Sequence, residues 1–156
     1  MKGYEEMIRI LFICHGNICR STAAHMILQN MVNEAGLTDL FFIDSAATST
    51  EEIGNPVYPP MKRALQSMNI PILSHRARQV RRSEYNDWDY IIGMDHANMQ
   101  NLNRIFGGDP EHKLSMLMAW AGQDGQEVDD PWYTGLHQEV ARQIELGCRE
   151  MLAQLV

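Results

Sequence analysis

One stretch constrains this chain more than any other: Cys14-His15-Gly16-Asn17-Ile18-Cys19-Arg20-Ser21. It follows the apolar run 8–13 and opens into an amphipathic segment. That context is strand, loop, helix, the place where an α/β protein points backbone N–H groups at an anion. Gly16 and Asn17 are the residue types that most readily take positive φ, so the span from Cys14 to Arg20 can curl with its amides inward. The cysteine sulfur then lies in the floor, and the guanidinium clamps two oxygens from the side. The expected object is a phosphate cradle with a nucleophile beneath it.

The rest of the chain repeats the alternation. Ala24, Ile27, Leu28 and Met31 follow helical spacing, with Ser21 or Thr22 near the N-cap and Gly36 at the end. Residues 41–45 read as a second strand and 46–60 as a loop rich in turn formers. Pro60 opens a short helix carrying Met61, Ala64, Leu65 and Met68. Residues 69–83 are irregular and basic, 90–94 form a buried strand, and Asp95 caps a helix closed by Gly107-Gly108. Residues 114–118 hold a last short strand, 122–134 a loop, and Val140, Ile144, Cys148, Met151 and Leu155 the stripe of a C-terminal helix. Strands alternating with helices mean a parallel sheet covered on both faces, with ligands beyond the carboxyl ends of its strands, where the Cys14 loop lies.

Composition narrows the class. The 156 residues, 45% hydrophobic and 21% charged, suit one globular domain over 1–156, and no apolar run is long enough for a bilayer. Residues 1–6 are polar and lack a signal core, so export is not expected. Three cysteines argue for a reducing, cytoplasmic setting over a disulfide framework. A net charge of −7 argues against nucleic acid, though not against a phosphorylated substrate, because the field that matters is local to the pocket.

The chemistry follows from the residue types. A thiolate is the useful cysteine nucleophile, and Arg20, the helix N-terminus and the amides of His15, Gly16, Asn17, Ile18, Cys19, Arg20 and Ser21 all favour an anion here. The same donors hold the non-bridging oxygens of a phosphoryl group during in-line attack by Cys14, which gives a phosphocysteine that water hydrolyses. No metal or other cofactor is needed, and no ligand spacing for one is evident. A leaving group needs a proton, and Asp130 in Asp129-Asp130-Pro131-Trp132-Tyr133 is the candidate acid, with Trp132 and Tyr133 flanking an aromatic ring of substrate.

These residues resemble the low-molecular-weight protein tyrosine phosphatases. Residues 14–21 are similar to that family's C-x-G-N-x-C-R-S signature, and the likeness runs on through 44–49, 52–56, 74–79, Met94-Asp95 and Asp130-Pro131. The resemblance implies a three-layer α/β/α fold with a four-stranded parallel sheet, flavodoxin-like in strand order, and hydrolysis of aryl phosphates such as phosphotyrosine. Carried over by position, it makes Cys14 the nucleophile, Arg20 the phosphate clamp and Asp130 the general acid. Ser21 matches the hydroxyl that bonds the thiolate; Asn17, Ser45 and His75 match a buried network that holds the loop, and Asp95 a position near the site that orients Arg20. Cys19 matches the partner in a reversible disulfide with Cys14. The implied partners are a phosphotyrosine-containing protein or a small aryl phosphate, with the chain a monomer or weak dimer and no membrane contact.

Some positions depart from the family pattern. Thr22 stands where proline commonly follows, which bears on the helix start. Trp132 replaces a frequent tyrosine, and Glu51 stands near a common aromatic, leaving that wall of the cleft weak or negative. Arsenate reduction, found on the same scaffold, uses two further cysteines in mid-chain where this sequence has none. A non-catalytic phosphoprotein-binding module is the other alternative. Cys148 reads as core, His75 as structural, and His15, His25, His96, His112 and His137 as surface or loop residues. Arg76, Arg78, Arg81 and Arg82 read as a solvated face with some value for steering acidic phosphopeptides.

Overall fold

Strand β1 (Ile8–Cys14) is buried from Ile10 onward, the mark of a central parallel strand covered on both faces. It pairs in parallel with β2 (Phe41–Ala47) on one side and β3 (Tyr90–Gly93) on the other, and β3 pairs with β4 (Leu114–Met116). The order β2-β1-β3-β4 is the flavodoxin-like arrangement expected, with the chain reversing direction across the sheet beside β1. The computed structural model describes residues 7–156; the polar segment 1–6, read above for an export signal, lies outside them.

The two-residue period of β1 divides the core. Ile10, Phe12 and Cys14 face helices α1 (Arg20–Glu34), α2 (Pro59–Ser67) and α5 (His137–Leu155), while Leu11 and Ile13 face α3 (His96–Phe106) and the 3-10 turn 82–87. Cys14 therefore ends its strand on the α1 side, at the carboxyl edge of the sheet. Among the described residues no helix is long and apolar enough to cross a membrane.

Several boundaries differ from the sequence expectation, each for a local reason. Helix α1 begins at Arg20 with Cys19 as N-cap, not at Ser21 or Thr22. The Ser21 hydroxyl is taken by Cys14 and Asn17, and Thr22 Oγ1 donates back to the Cys19 carbonyl (2.8 Å). Strand β2 runs two residues past Ser45 because the Ala47 and Val80 amides and the Arg78 and Ala47 carbonyls zip the 77–80 segment along it. The last strand stops at Met116, where the chain turns into a 3-10 helix over 117–121. Leu117 must turn inward there to pack on Gly147 of α5. The loop before α5 contains a one-turn helix, α4 (Pro131–Thr134), with Asp130 as its N-cap.

Candidate active site

Asn17 organises the loop. It is fully buried with φ of 59°, a conformation that asparagine tolerates better than most residues. Its Nδ2 donates to Ser21 Oγ (2.9 Å) and Ser45 Oγ (3.0 Å), and its Oδ1 accepts from the Arg78 amide (3.1 Å). Its carbonyl accepts from His75 Nε2 (2.7 Å), and its amide donates to Cys14 Sγ (3.3 Å). Every polar group of the residue has a partner, which offsets the strained backbone. Burial holds His75 below the usual imidazole range, against the pull of the Asn17 carbonyl and Asp44. The ring is thus the neutral Nε2–H tautomer, a strut for the loop.

Cys14 is buried, and its sulfur lies 3.0 Å from Ser21 Oγ. With that oxygen already accepting from Asn17, its own proton is free to donate to a thiolate. No side chain caps α1, so its first amides stand open at the loop. Arg20 is 3% exposed, and its Nη1 donates to Asp95 Oδ2 (2.8 Å) and the Val128 carbonyl (2.8 Å). The Nε–Nη2 edge makes no hydrogen bond among the described residues, and Nη2 lies 3.7 Å from Asp130 Oδ2. Burial alone would lower this guanidinium, but Cys14, Asp95 and Asp130 outweigh it and hold Arg20 above its ordinary range, always charged.

Above the loop opens a cleft of about 300 Å³. Cys14, His15, Gly16, Ile18, Cys19 and Arg20 form its floor; Glu51 and Glu52 stand on one side, and Tyr58, Asp130, Trp132 and Tyr133 line the rest. Asp130 is held by the Trp132 amide, which donates to its Oδ1 (3.0 Å), leaving Oδ2 toward Arg20. The residues read from the sequence as nucleophile, clamp and acid thus converge on one cavity. Ser21, Asn17, Ser45 and His75 lie together beneath it, and Asp95 beside it bonds Arg20 directly.

Other sequence expectations are corrected. His25 is neither a surface nor a loop residue: it sits in α1 with a buried Nδ1, and burial holds it below the usual imidazole range, with Asp44 raising and His75 lowering it further. The arginine cluster does not line the cleft. Arg76, Arg81 and Arg82 are exposed, the solvated face expected, while Arg78 is paired with Glu84 (3.0 Å) and Asp44 (3.2 Å). Cys19 is half-buried in the floor, and burial, with Cys14 and Asp130, pushes its thiol up despite Arg20. Cys148 is buried in the core as expected. Two lining residues escaped sequence reading, Tyr58 and Glu52. Tyr58 packs on Trp132 (ring centroids 5.1 Å apart), a contact across 74 positions whose only local signal is an aromatic directly before Pro59-Pro60.

Such a floor accommodates a tetrahedral oxyanion, with amides and a guanidinium edge for its oxygens and a sulfur in line behind it. Fold and site together define a phosphate-handling α/β protein with a cysteine at its centre. Comparison narrows the class. The family model described as low molecular weight phosphotyrosine protein phosphatase matches residues 9–156. The low molecular weight protein-tyrosine-phosphatase YfkJ of Bacillus subtilis is 35% identical over 150 residues, 96% of each chain. The human low molecular weight phosphotyrosine protein phosphatase is 35% identical over 126 residues, 80% of this chain and 79% of its own. The crystal structure of YfkJ superposes with a TM-score of 0.91 over 96% of this chain and 94% of that one. The phosphatase SP-PTP of Streptococcus pyogenes superposes at 0.86 with 32% identity, over 96% and 94%. The chain belongs to this family of phosphatases.

Proposed function

We propose that this protein hydrolyses aryl phosphate monoesters, phosphotyrosine foremost, by two phosphoryl transfers through Cys14. The observation that carries the reading is the convergence in one cleft of Cys14 Sγ, the open edge of Arg20 and the carboxyl of Asp130. The phosphate oxygens take the loop amides from His15 to Ser21 and the Nε–Nη2 edge of Arg20. The Cys14 thiolate forms the S–P bond as the P–O bond to the aryl group breaks, and protonated Asp130 gives its proton to the departing oxygen. Asp130, now a carboxylate, takes a proton from water as that water attacks phosphorus and the S–P bond breaks, which returns the thiolate and releases phosphate. Ser21 supports the sulfur both as nucleophile and as leaving group. Asp95 and the Val128 carbonyl hold Nη1 so that the other edge of the guanidinium stays free for phosphate.

Tyr58, Trp132 and Tyr133 supply the flat wall for the aryl ring. Cys19, in the same loop, serves as the resolving thiol: peroxide oxidises Cys14 to a sulfenic acid, and Cys19 displaces water to form a reducible disulfide. Three free cysteines fit a reducing cytoplasmic setting, and the chain acts as one domain, a monomer or weak dimer.

Replacing Cys14 by serine is expected to abolish hydrolysis of p-nitrophenyl phosphate at pH 5–7 with an unchanged circular dichroism spectrum; retained turnover would sink the reading. Asp130→Ala should lower kcat by about 10²–10⁴ for a phenyl phosphate, and by less where the leaving group needs no proton.

A further inference from the structure

The cleft has two unlike walls. Tyr58, Trp132 and Tyr133 make one side aromatic, and Trp132 and Tyr133 are largely exposed. Glu51 and Glu52 make the other side acidic, and both belong to a turn fastened to the loop itself. Ser49 donates to the His15 carbonyl through its amide (3.1 Å) and its hydroxyl (2.8 Å), and the Glu51 amide donates to Ser49 Oγ (3.4 Å). The Glu52 side chain packs on Gly16, its Cγ 3.2 Å from where a Cβ would stand, and its carboxylate accepts from Asn55 Nδ2 (2.6 Å).

Neither charge is cancelled by a permanent cation. Glu51 Oε2 meets His15 Nε2 at 3.0 Å, an imidazole partner and not a lysine or arginine. Arg76 reaches this turn but donates to the Gly54 carbonyl (3.1 Å). Among the described residues no lysine or arginine forms an ion pair with Glu51 or Glu52. The one arginine of the described lining, Arg20, is already answered by Asp95. A phosphate gains its donors in the floor, while whatever flanks it on the substrate meets negative charge at the rim.

We propose, resting on the phosphatase reading above, that Glu51 and Glu52 make this enzyme select phosphotyrosine flanked by lysine or arginine and reject acidic flanks. A flanking cation gains the two carboxylates and can lie over the exposed Trp132 ring. A flanking glutamate places like charges together in a partly desolvated cleft, so discrimination comes from repulsion as much as attraction. Because these contacts are the same in ground and transition states, the preference belongs to KM and not to kcat.

The test uses the full chain, p-nitrophenyl phosphate, and synthetic phosphotyrosine peptides that differ only in their flanking residues: lysine, alanine or glutamate. The expected order of kcat/KM is lysine, alanine, glutamate, with about a tenfold span at low ionic strength, carried by KM. The span should shrink to about twofold near 0.5 M salt, where screening is nearly complete beyond a few ångströms. Glu51→Lys should erase or invert the order, with Glu51→Gln between it and the unaltered protein; both changes lie on an exposed side chain. Equal peptides, or preference for glutamate flanks, in a protein that turns over p-nitrophenyl phosphate overturn this inference alone. A lysine preference that survives Glu51→Lys together with Glu52→Gln overturns the assignment to these residues. Failure to turn over any of the substrates overturns the phosphatase reading and this inference with it.

Discussion

Asn17 shows at the scale of one residue why the loop has its shape. Its side chain bonds two hydroxyls and a backbone amide while its own backbone sits at positive φ. Asn17→Ala removes the three side-chain bonds and leaves Ser21, Ser45 and the Arg78 amide short of a partner. The expected loss is about 2–4 kcal/mol in urea unfolding, with a larger proportional loss of kcat because Ser21 is freed to turn from Cys14. Asp95 is a second residue with two tasks: Oδ1 caps α3 at the Asn98 amide (2.7 Å), and Oδ2 holds Arg20 (2.8 Å). Asp95→Asn keeps the cap, since asparagine caps as well as aspartate, but removes the charge facing a buried guanidinium. Stability should fall by about 1–3 kcal/mol and kcat/KM by at least about tenfold; an unchanged KM and kcat would contradict the role given to Asp95. Cys14, Arg20 and Asp130, which carry the proposed chemistry, were legible as candidates because a five-residue loop and an Asp-Pro pair constrain geometry locally. The Asp95 bond to Arg20 spans 75 positions, so the resemblance suggested a role that only the fold could specify.

Helix α1 delivers the loop, and α5 holds α1 against the sheet. The stripe of α5 was readable from its 3.6-residue period, but Gly147 on the same helix was not, because glycine signals nothing about what it approaches. A Cβ at Gly147 would stand 2.6 Å from Leu117 Cγ, and Leu117 is fully buried. Gly147→Ala gains about 1 kcal/mol of helix propensity and meets an overpacking cost of about 1–3 kcal/mol. The net effect expected is a lower thermal midpoint, while kcat, set at Cys14 two strands away from β4, stays near its original value; a raised midpoint would mean that Leu117 yields freely. The same logic explains why β4 is shorter than its apolar run suggested. Leu117 and Met118 continue the hydrophobic pattern, but they bury against α5 through a 3-10 turn, and periodicity cannot separate a short strand from such a turn.

Across the whole molecule, two histidines are held neutral beneath the site. Burial keeps His75 and His25 below the usual imidazole range, so the unfolded chain takes up protons first as pH falls. Stability is therefore fully present above the ordinary histidine value near 6.5 and declines below it until the pH has passed the lower folded-state values. Urea midpoints at pH 7.5, 6.0 and 5.0 should fall in that order, and His75→Gln should flatten the decline; a flat profile in the unaltered protein would contradict it. Protonation of His75 itself need not break its bond to the Asn17 carbonyl, because Nε2–H donates in both forms. The expected acid effect is thus on stability before it is on the loop's geometry.

By itself the sequence determined the parallel α/β plan, the loop at the end of β1 and the three residues that carry the proposed chemistry. Those follow from local periodicity and from residue types whose chemistry is narrow. Only the tertiary structure decided what surrounds them. It placed Asn17 in five hydrogen bonds, set Asp95 and the Val128 carbonyl on one edge of Arg20, took Arg78 out of the cleft, buried His25, and set Tyr58 against Trp132. These are contacts between residues far apart in the chain. Their identity depends on how layers pack and on which polar groups must find partners once water is gone, and neither can be read from neighbouring residues.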